Sequence, residues 1–190
     1  MIFLNLSIIR DGTMSEEHEK DKQSFLFEVL KRYDHYIATT NFKVALLMSF
    51  IGIVVFGISS KAIAQDLSKL NSHTFYFFIT VVATTIFSAL ISAIYLLKVV
   101  FPNTSNENLD KKSLIFFGDV SSCENGANGY SKKIREISQN EINDDLAKQT
   151  FTLAKIVSKK FETLKKSLNI IIRFTIPSLI LTLATLILIK

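Results

Sequence analysis

Charged and apolar residues are sorted into blocks along this chain. From Val44 to Ser60 no Asp, Glu, Lys or Arg occurs, and Lys43 and Lys61 bracket the run. Its 17 residues approach the roughly 20 needed to cross a hydrocarbon core about 30 Å thick. Between Lys69 and Lys98 stand 28 residues without a formal charge, more than a soluble helix needs. The third run, Ser167–Ile189, is interrupted by Arg173, so only the 16 residues Phe174–Ile189 are charge-free. With Arg173 snorkelling to the headgroups the stretch is adequate, and Pro177 is tolerable inside a membrane helix. The competing reading is a soluble core. A chain this short has too little amphipathic sequence to cover three helices that are apolar all round.

Around these runs the pattern is helical. Leu26, Val29, Leu30, Tyr33 and Ile37 recur at three- and four-residue spacing in an N-terminal arm, residues 1–43, with no Gly or Pro before the first run. Ser15 suits an N-cap, followed by Glu16 and Glu17 in the first turn. The apolar opening Met1–Thr13 is too short to span and places Arg10 after its apolar run, unlike a signal peptide; Met1 and Met14 both stand as candidate starts, Met14 opening the charged, helix-favouring stretch. Residues 98–166 form an insert. Its Pro102–Gly129 portion is polar and turn-rich, and Leu114–Val120 reads as one short strand or extended segment ended by Gly118. One strand cannot make a sheet, so it must pack on helices or pair with another copy. Tyr130–Gln139 reads as a short helix. From near Asn140 a longer one carries Leu146, Thr150, Leu153, Val157, Phe161, Leu164, Leu168 and Ile171 straight into the third run.

The expected fold is therefore an all-α membrane protein. It has three transmembrane helices, 44–60, 70–97 and 167–189, and a small, mainly helical cytoplasmic insert containing one short extended segment. Basic residues orient it: six lie in 1–43, two in 61–69, twelve in 98–166 and two beyond. Arm and insert are expected in the cytoplasm and the C-terminus outside. Lys159, Lys160, Lys165 and Lys166 belong at the anionic headgroups, as topology determinants and anchors rather than ligand groups. Thr84, Ser88 and Ser92, with Thr85, Ala89 and Ala93 beside them, make small-residue stripes suited to close helix packing in a bundle or oligomer.

Composition narrows the chemistry. Apolar residues make up 48% of the 190 and charged residues 21%, with 16 Phe and no Trp. The net charge of +5 is explained by the positive-inside bias, and no nucleic-acid partner is expected. Cys123 is the only cysteine and His18, His35 and His73 are scattered, so neither disulfide nor zinc site is expected. The enzyme signatures GxSxG, P-loop, GxGxxG and HExxH are absent, and the adjacent Asp144 and Asp145 face different parts of a helix surface. A small anionic ligand is a further candidate, on residues that most basic loops also carry. Phe116, Phe117 and Tyr130 offer stacking, Lys111, Lys112, Lys132, Lys133 and Arg135 offer cations, and Gln149 offers an amide for base edges. Core packing explains Phe116 and Phe117 more cheaply.

The order of short motifs adds a family. An amphipathic helix enters the first span through N-x-K-x-A-L-L (Asn41, Lys43, Ala45, Leu46, Leu47). I-F-F-G (Ile115–Gly118), a lone Tyr130 and D-L-x-x-Q (Asp145, Leu146, Gln149) follow, then K-K-F-x-x-L (Lys159, Lys160, Phe161, Leu164) before the last span. Over roughly residues 25–188 this resembles the membrane-spanning effectors of the Pycsar anti-phage systems. The resemblance implies an effector that is not an enzyme and needs no cofactor. A partner pyrimidine nucleotide cyclase makes its trigger, cyclic CMP or cyclic UMP. The effector then damages the bacterial inner membrane, giving abortive infection. A homo-oligomer is expected, with Phe116, Phe117, Gly118, Tyr130, Arg135 and Gln149 as the candidate ligand set. One departure is Phe42, which stands where the family would carry Asp. The rival readings are a constitutive membrane accessory or scaffold subunit and a ligand-independent, holin-like toxin.

Overall fold

The computed structural model describes residues 2–66, 70–101 and 112–189, with side chains from His18 onward. It is helical, with no strand among the described residues. Helix α1 runs Ile2–Ile63, α2 Ser72–Val100, α3 Phe117–Ser121, α4 Gly126–Glu136 and α5 Gln139–Ile170; a π-turn, Ile171–Thr175, leads into α6, Ile176–Leu188. The arm and first span are one helix, as the lack of Gly and Pro between them requires. Ser15 lies inside that helix rather than at its cap, because α1 already starts at Ile2. Three helical stretches are long and apolar enough to cross a membrane: His18–Ile63, Ser72–Val100 and Gln139–Leu188.

Two compact units divide the chain. The first comprises residues 1–36 and 104–157, the second 37–103 and 158–190. In the second, Val44, Ile51, Ala89, Leu96, Val99, Leu164 and Ile171 form one apolar cluster and Val54, Ile58, Phe78 and Val82 another. Between α2 and the last span the packing is polar. Ser167 donates to the Ser92 carbonyl at 3.1 Å, Thr175 to the Ser88 hydroxyl at 3.1 Å, and Thr85 and Thr182 hydroxyls meet at 3.0 Å. The buried face of α2 thus draws on both expected stripes, taking Ser88 and Ser92 from one and Thr85 and Ala89 from the other. Thr84 is left outside, bonded to its own Thr80 carbonyl. Phe56, Phe87, Ile94, Ile180 and Leu183 point outward. Hydroxyls inside and large apolar groups outside invert the arrangement of a soluble protein and match what lipid favours.

Pro177 explains the π-turn. It has no N–H to give to the carbonyl four residues back, and the ladder widens ahead of it, with the Ile176 N–H reaching the Ile171 carbonyl. The helix continues without a break.

The expected extended segment Leu114–Val120 is not a strand. Leu114–Phe116 form a bend and Phe117–Ser121 the short helix α3. Without a neighbouring strand the backbone N–H groups need other acceptors. Side chains supply them: the Ser113 hydroxyl accepts from Ile115 and Phe116, and the Asp145 carboxylate accepts from Leu114.

Candidate functional site

Within the first unit, the turn 113–121 is tied to two helices. Asp145 of α5 accepts the Ser113 hydroxyl at 3.1 Å and the Leu114 N–H at 2.8 Å. The Tyr130 hydroxyl of α4 donates to the Leu114 carbonyl at 2.9 Å. From within the turn, Asp119 accepts the Ser113 N–H at 2.9 Å. Bonds to a charged acceptor are the stronger kind, so Asp145 is the principal anchor. The turn Cys123–Gly126 precedes α4, and Asn125 and Gly126 both adopt left-handed φ, 61° and 56°, which glycine accepts without strain. Gly129 is also required, since a Cβ there would collide with the Glu124 carbonyl.

What this anchoring presents is aromatic. The Phe116 and Phe117 ring centroids are 4.8 Å apart with the planes tilted 52°, and Phe117 is 79% exposed. The Phe116 ring lies across Gly118, where a Cβ would sit 2.7 Å from ring atom Cε1. Core packing, the cheaper explanation for this pair, fails for Phe117. Of the expected ligand set, Phe116, Phe117 and Gly118 adjoin one another and Tyr130 holds their turn. Arg135 is exposed on α4, with Nη2 donating to Ser131 at 3.1 Å. Gln149 is buried one helical turn beyond Asp145. Among the cations, Lys112 and Lys133 are exposed, Lys132 pairs with Glu136 across 3.9 Å, and Lys111 lies outside the described residues.

Asp145 and Ser113 were not expected in this role. The signal was present, because a lone extended segment must find side-chain acceptors. Asp144, by contrast, lines a separate groove of about 600 Å³ with Glu19, Asp21, Lys22 and Asn143. Lys22 donates to Glu19 at 2.7 Å and holds its carboxyl below the usual range. Three carboxylates make that groove unsuited to a phosphate.

In the second unit, Lys160 occupies the position that periodicity gives to Phe161. The lysine is 4% exposed and Phe161 45%. Lys160 Nζ donates to the Val99 carbonyl at 2.6 Å, to Asn41 Oδ1 at 3.0 Å and to the Val100 carbonyl at 3.5 Å. A cation at the C-terminal end of α2 meets carbonyls that have no helical partner and the negative end of the helix dipole. Lys160 is therefore turned in against α2, whereas Lys159, Lys165 and Lys166 are exposed. Asn41 and Lys160, from two separate motifs, form one clamp, while Phe42 points outward.

Residues 25–189 match the Pycsar effector protein domain, PycTM. The chain belongs to the Pycsar effector family. It is 32% identical over 154 residues to the Pycsar effector protein EcPycTM of Escherichia coli, covering 78% of this chain and 82% of that one. To the Pycsar effector protein GmPycTM of Gulbenkiania mobilis it is 25% identical over 191 residues, covering 88% and 96%. No solved structure matches. As a Pycsar effector with three apolar spanning helices it is a membrane protein, and the matched region includes both the turn 113–121 and the Asn41–Lys160 clamp.

Proposed function

We propose that this Pycsar effector is triggered by a cyclic pyrimidine mononucleotide, cyclic CMP or cyclic UMP, and responds by impairing the bacterial inner membrane. The infected cell then stops growing before phage are released. A pyrimidine nucleotide cyclase supplies the signal, the effector works as a homo-oligomer, and no cofactor or catalytic step is involved. The arm and insert are cytoplasmic and the C-terminus periplasmic, in keeping with the twelve basic residues of 98–166.

The observation that carries this reading is the exposed Phe117 ring beside Phe116 on an anchored turn. Aromatic faces stack on any base, and solvent exposure leaves such a ring free to do so. In the proposed site the outer faces of Phe116 and Phe117 receive the base, Gly118 leaves room for the Phe116 ring, and Tyr130 and Asp145 fix the turn. Arg135 offers charge to the phosphate and Gln149 an amide to a base edge. Binding acts by population shift: the bound form must prefer one arrangement of α5, which continues through the π-turn into α6. Moving a 1:99 equilibrium to 99:1 needs about 5.5 kcal/mol of differential binding, which several subunits can share.

Calorimetry of the purified protein in detergent tests the proposal. Cyclic CMP or cyclic UMP should bind far better than cyclic AMP or a cyclic dinucleotide. Phe117→Ala should weaken binding by roughly 5- to 150-fold, since stacking contributes about 1–3 kcal/mol per base. Equal or absent binding of all four would favour a constitutive accessory subunit.

A further inference from the structure

The ends of α2 and α5 enclose a cavity of about 460 Å³ lined by Lys98, Lys159, Lys160 and Lys166, with Tyr95 and Phe101. No carboxylate lines it among the described residues. The ammonium groups of Lys98, Lys160 and Lys166 around one space repel one another, and Lys98 lies over the Tyr95 ring, 5.6 Å from its centroid. Lys160 adds a second imbalance. It is buried, and the acceptors of its three donor bonds, two carbonyls and an amide oxygen, are neutral. A buried charge without a counter-charge is costly. Burial accordingly pushes its pKa below the ordinary lysine value. The space beside it is where an anion would restore the balance.

Position in the chain identifies the anion. The charge-free run of α2 ends at Leu97 and the last span begins at Ser167, so the cavity lies at the apolar–polar boundary of both. Leu97, Phe101 and Phe161 are exposed nearby in sequence and offer apolar surface. A free phosphate would use the lysines alone. A lipid would use both the lysines and the apolar rim, the pattern of headgroup pockets between membrane helices.

We propose that this cavity binds the phosphodiester headgroup of an anionic membrane lipid. The site is distinct from the turn 113–121 and does not depend on any nucleotide. Occupancy would neutralise the lysine cluster at the end of α2 and steady the Lys160 clamp.

The test uses the full chain in detergent micelles doped with phosphatidylglycerol or phosphatidylcholine, read by native mass spectrometry. The parent should retain phosphatidylglycerol in preference to phosphatidylcholine, and excess inorganic phosphate should not displace it. In the variant Lys98→Gln with Lys166→Gln, both exposed positions, its affinity should fall about thirtyfold, the equivalent of about 2 kcal/mol. Lys31→Gln with Lys148→Gln removes the same charge elsewhere and should leave binding unchanged. Equal loss in both variants would mean that overall charge, and not the cavity, holds the lipid. Absence of any preference for phosphatidylglycerol, or its displacement by phosphate, would also overturn the proposal.

Discussion

Lys160 Nζ lies 3.0 Å from Asn41 Oδ1, joining two residues 119 positions apart in the chain, and the same ammonium closes the C-terminal end of α2. Three helices of the second unit therefore meet at one buried cation. Lys160→Met would keep the volume and remove the charge. Burial holds the Lys160 pKa below its ordinary value of 10.5, so the folded chain loses this proton before the unfolded chain does. Between the folded pKa and 10.5 the unfolded state binds more protons, and stability from this site rises with pH. Thermal melts should thus shift in favour of the parent, relative to Lys160→Met, as the pH is raised toward 10.5. A difference that stays flat would mean that the buried amine is not desolvated.

Asp145 anchors the turn 113–121 with two bonds to a charged acceptor. Asp145→Ala should cost about 2 kcal/mol or more, because bonds to charged groups contribute about 1.5–3 kcal/mol each. Amide exchange at Leu114 should quicken while the spans stay protected. Unchanged protection at Leu114 would show that Tyr130 alone suffices.

Gly118→Ala places a Cβ against the Phe116 ring, which can swing aside. Global stability should change by less than about 1 kcal/mol, but the ring pair must rearrange. Binding of cyclic CMP or cyclic UMP should weaken severalfold in calorimetry. Parent-like affinity would remove Phe116 from the ligand set.

Transmission along α5 can be tested with Ser158→Gly and Glu162→Gly, both at exposed positions. Each glycine costs about 1 kcal/mol of helix propensity and loosens the rod locally. This double variant should still insert and still bind nucleotide, yet depolarise cells poorly when nucleotide is supplied. Depolarisation equal to the parent's would place the trigger in α1 or in assembly.

Orientation has its own check. Cys123 should resist an impermeant thiol reagent on intact spheroplasts and react after lysis, and a reporter fused after Lys190 should be active only in its periplasmic form. Cys123 and the C-terminus on the same side would exclude the third span.

Sequence alone determined the three apolar spans, the continuity of α1, the passage of α5 into the last span and the family. Each rests on local properties: an uncharged run long enough for lipid, an unbroken helical period, and short motifs in order. Tertiary structure decided which of two equivalent helical positions turns inward. Val157 and Leu164 are compatible with either 160 or 161 between them, and hydrophobicity favours Phe161. Lys160 is buried instead, because the unpaired carbonyls of α2 lie within its reach and Phe161 can face outward without penalty where the surroundings are apolar. The turn at 114–120 was decided the same way. Its composition suits a strand, but a strand needs a partner, and Asp145, distant in sequence, supplies the acceptor that makes a turn and a short helix the stable form.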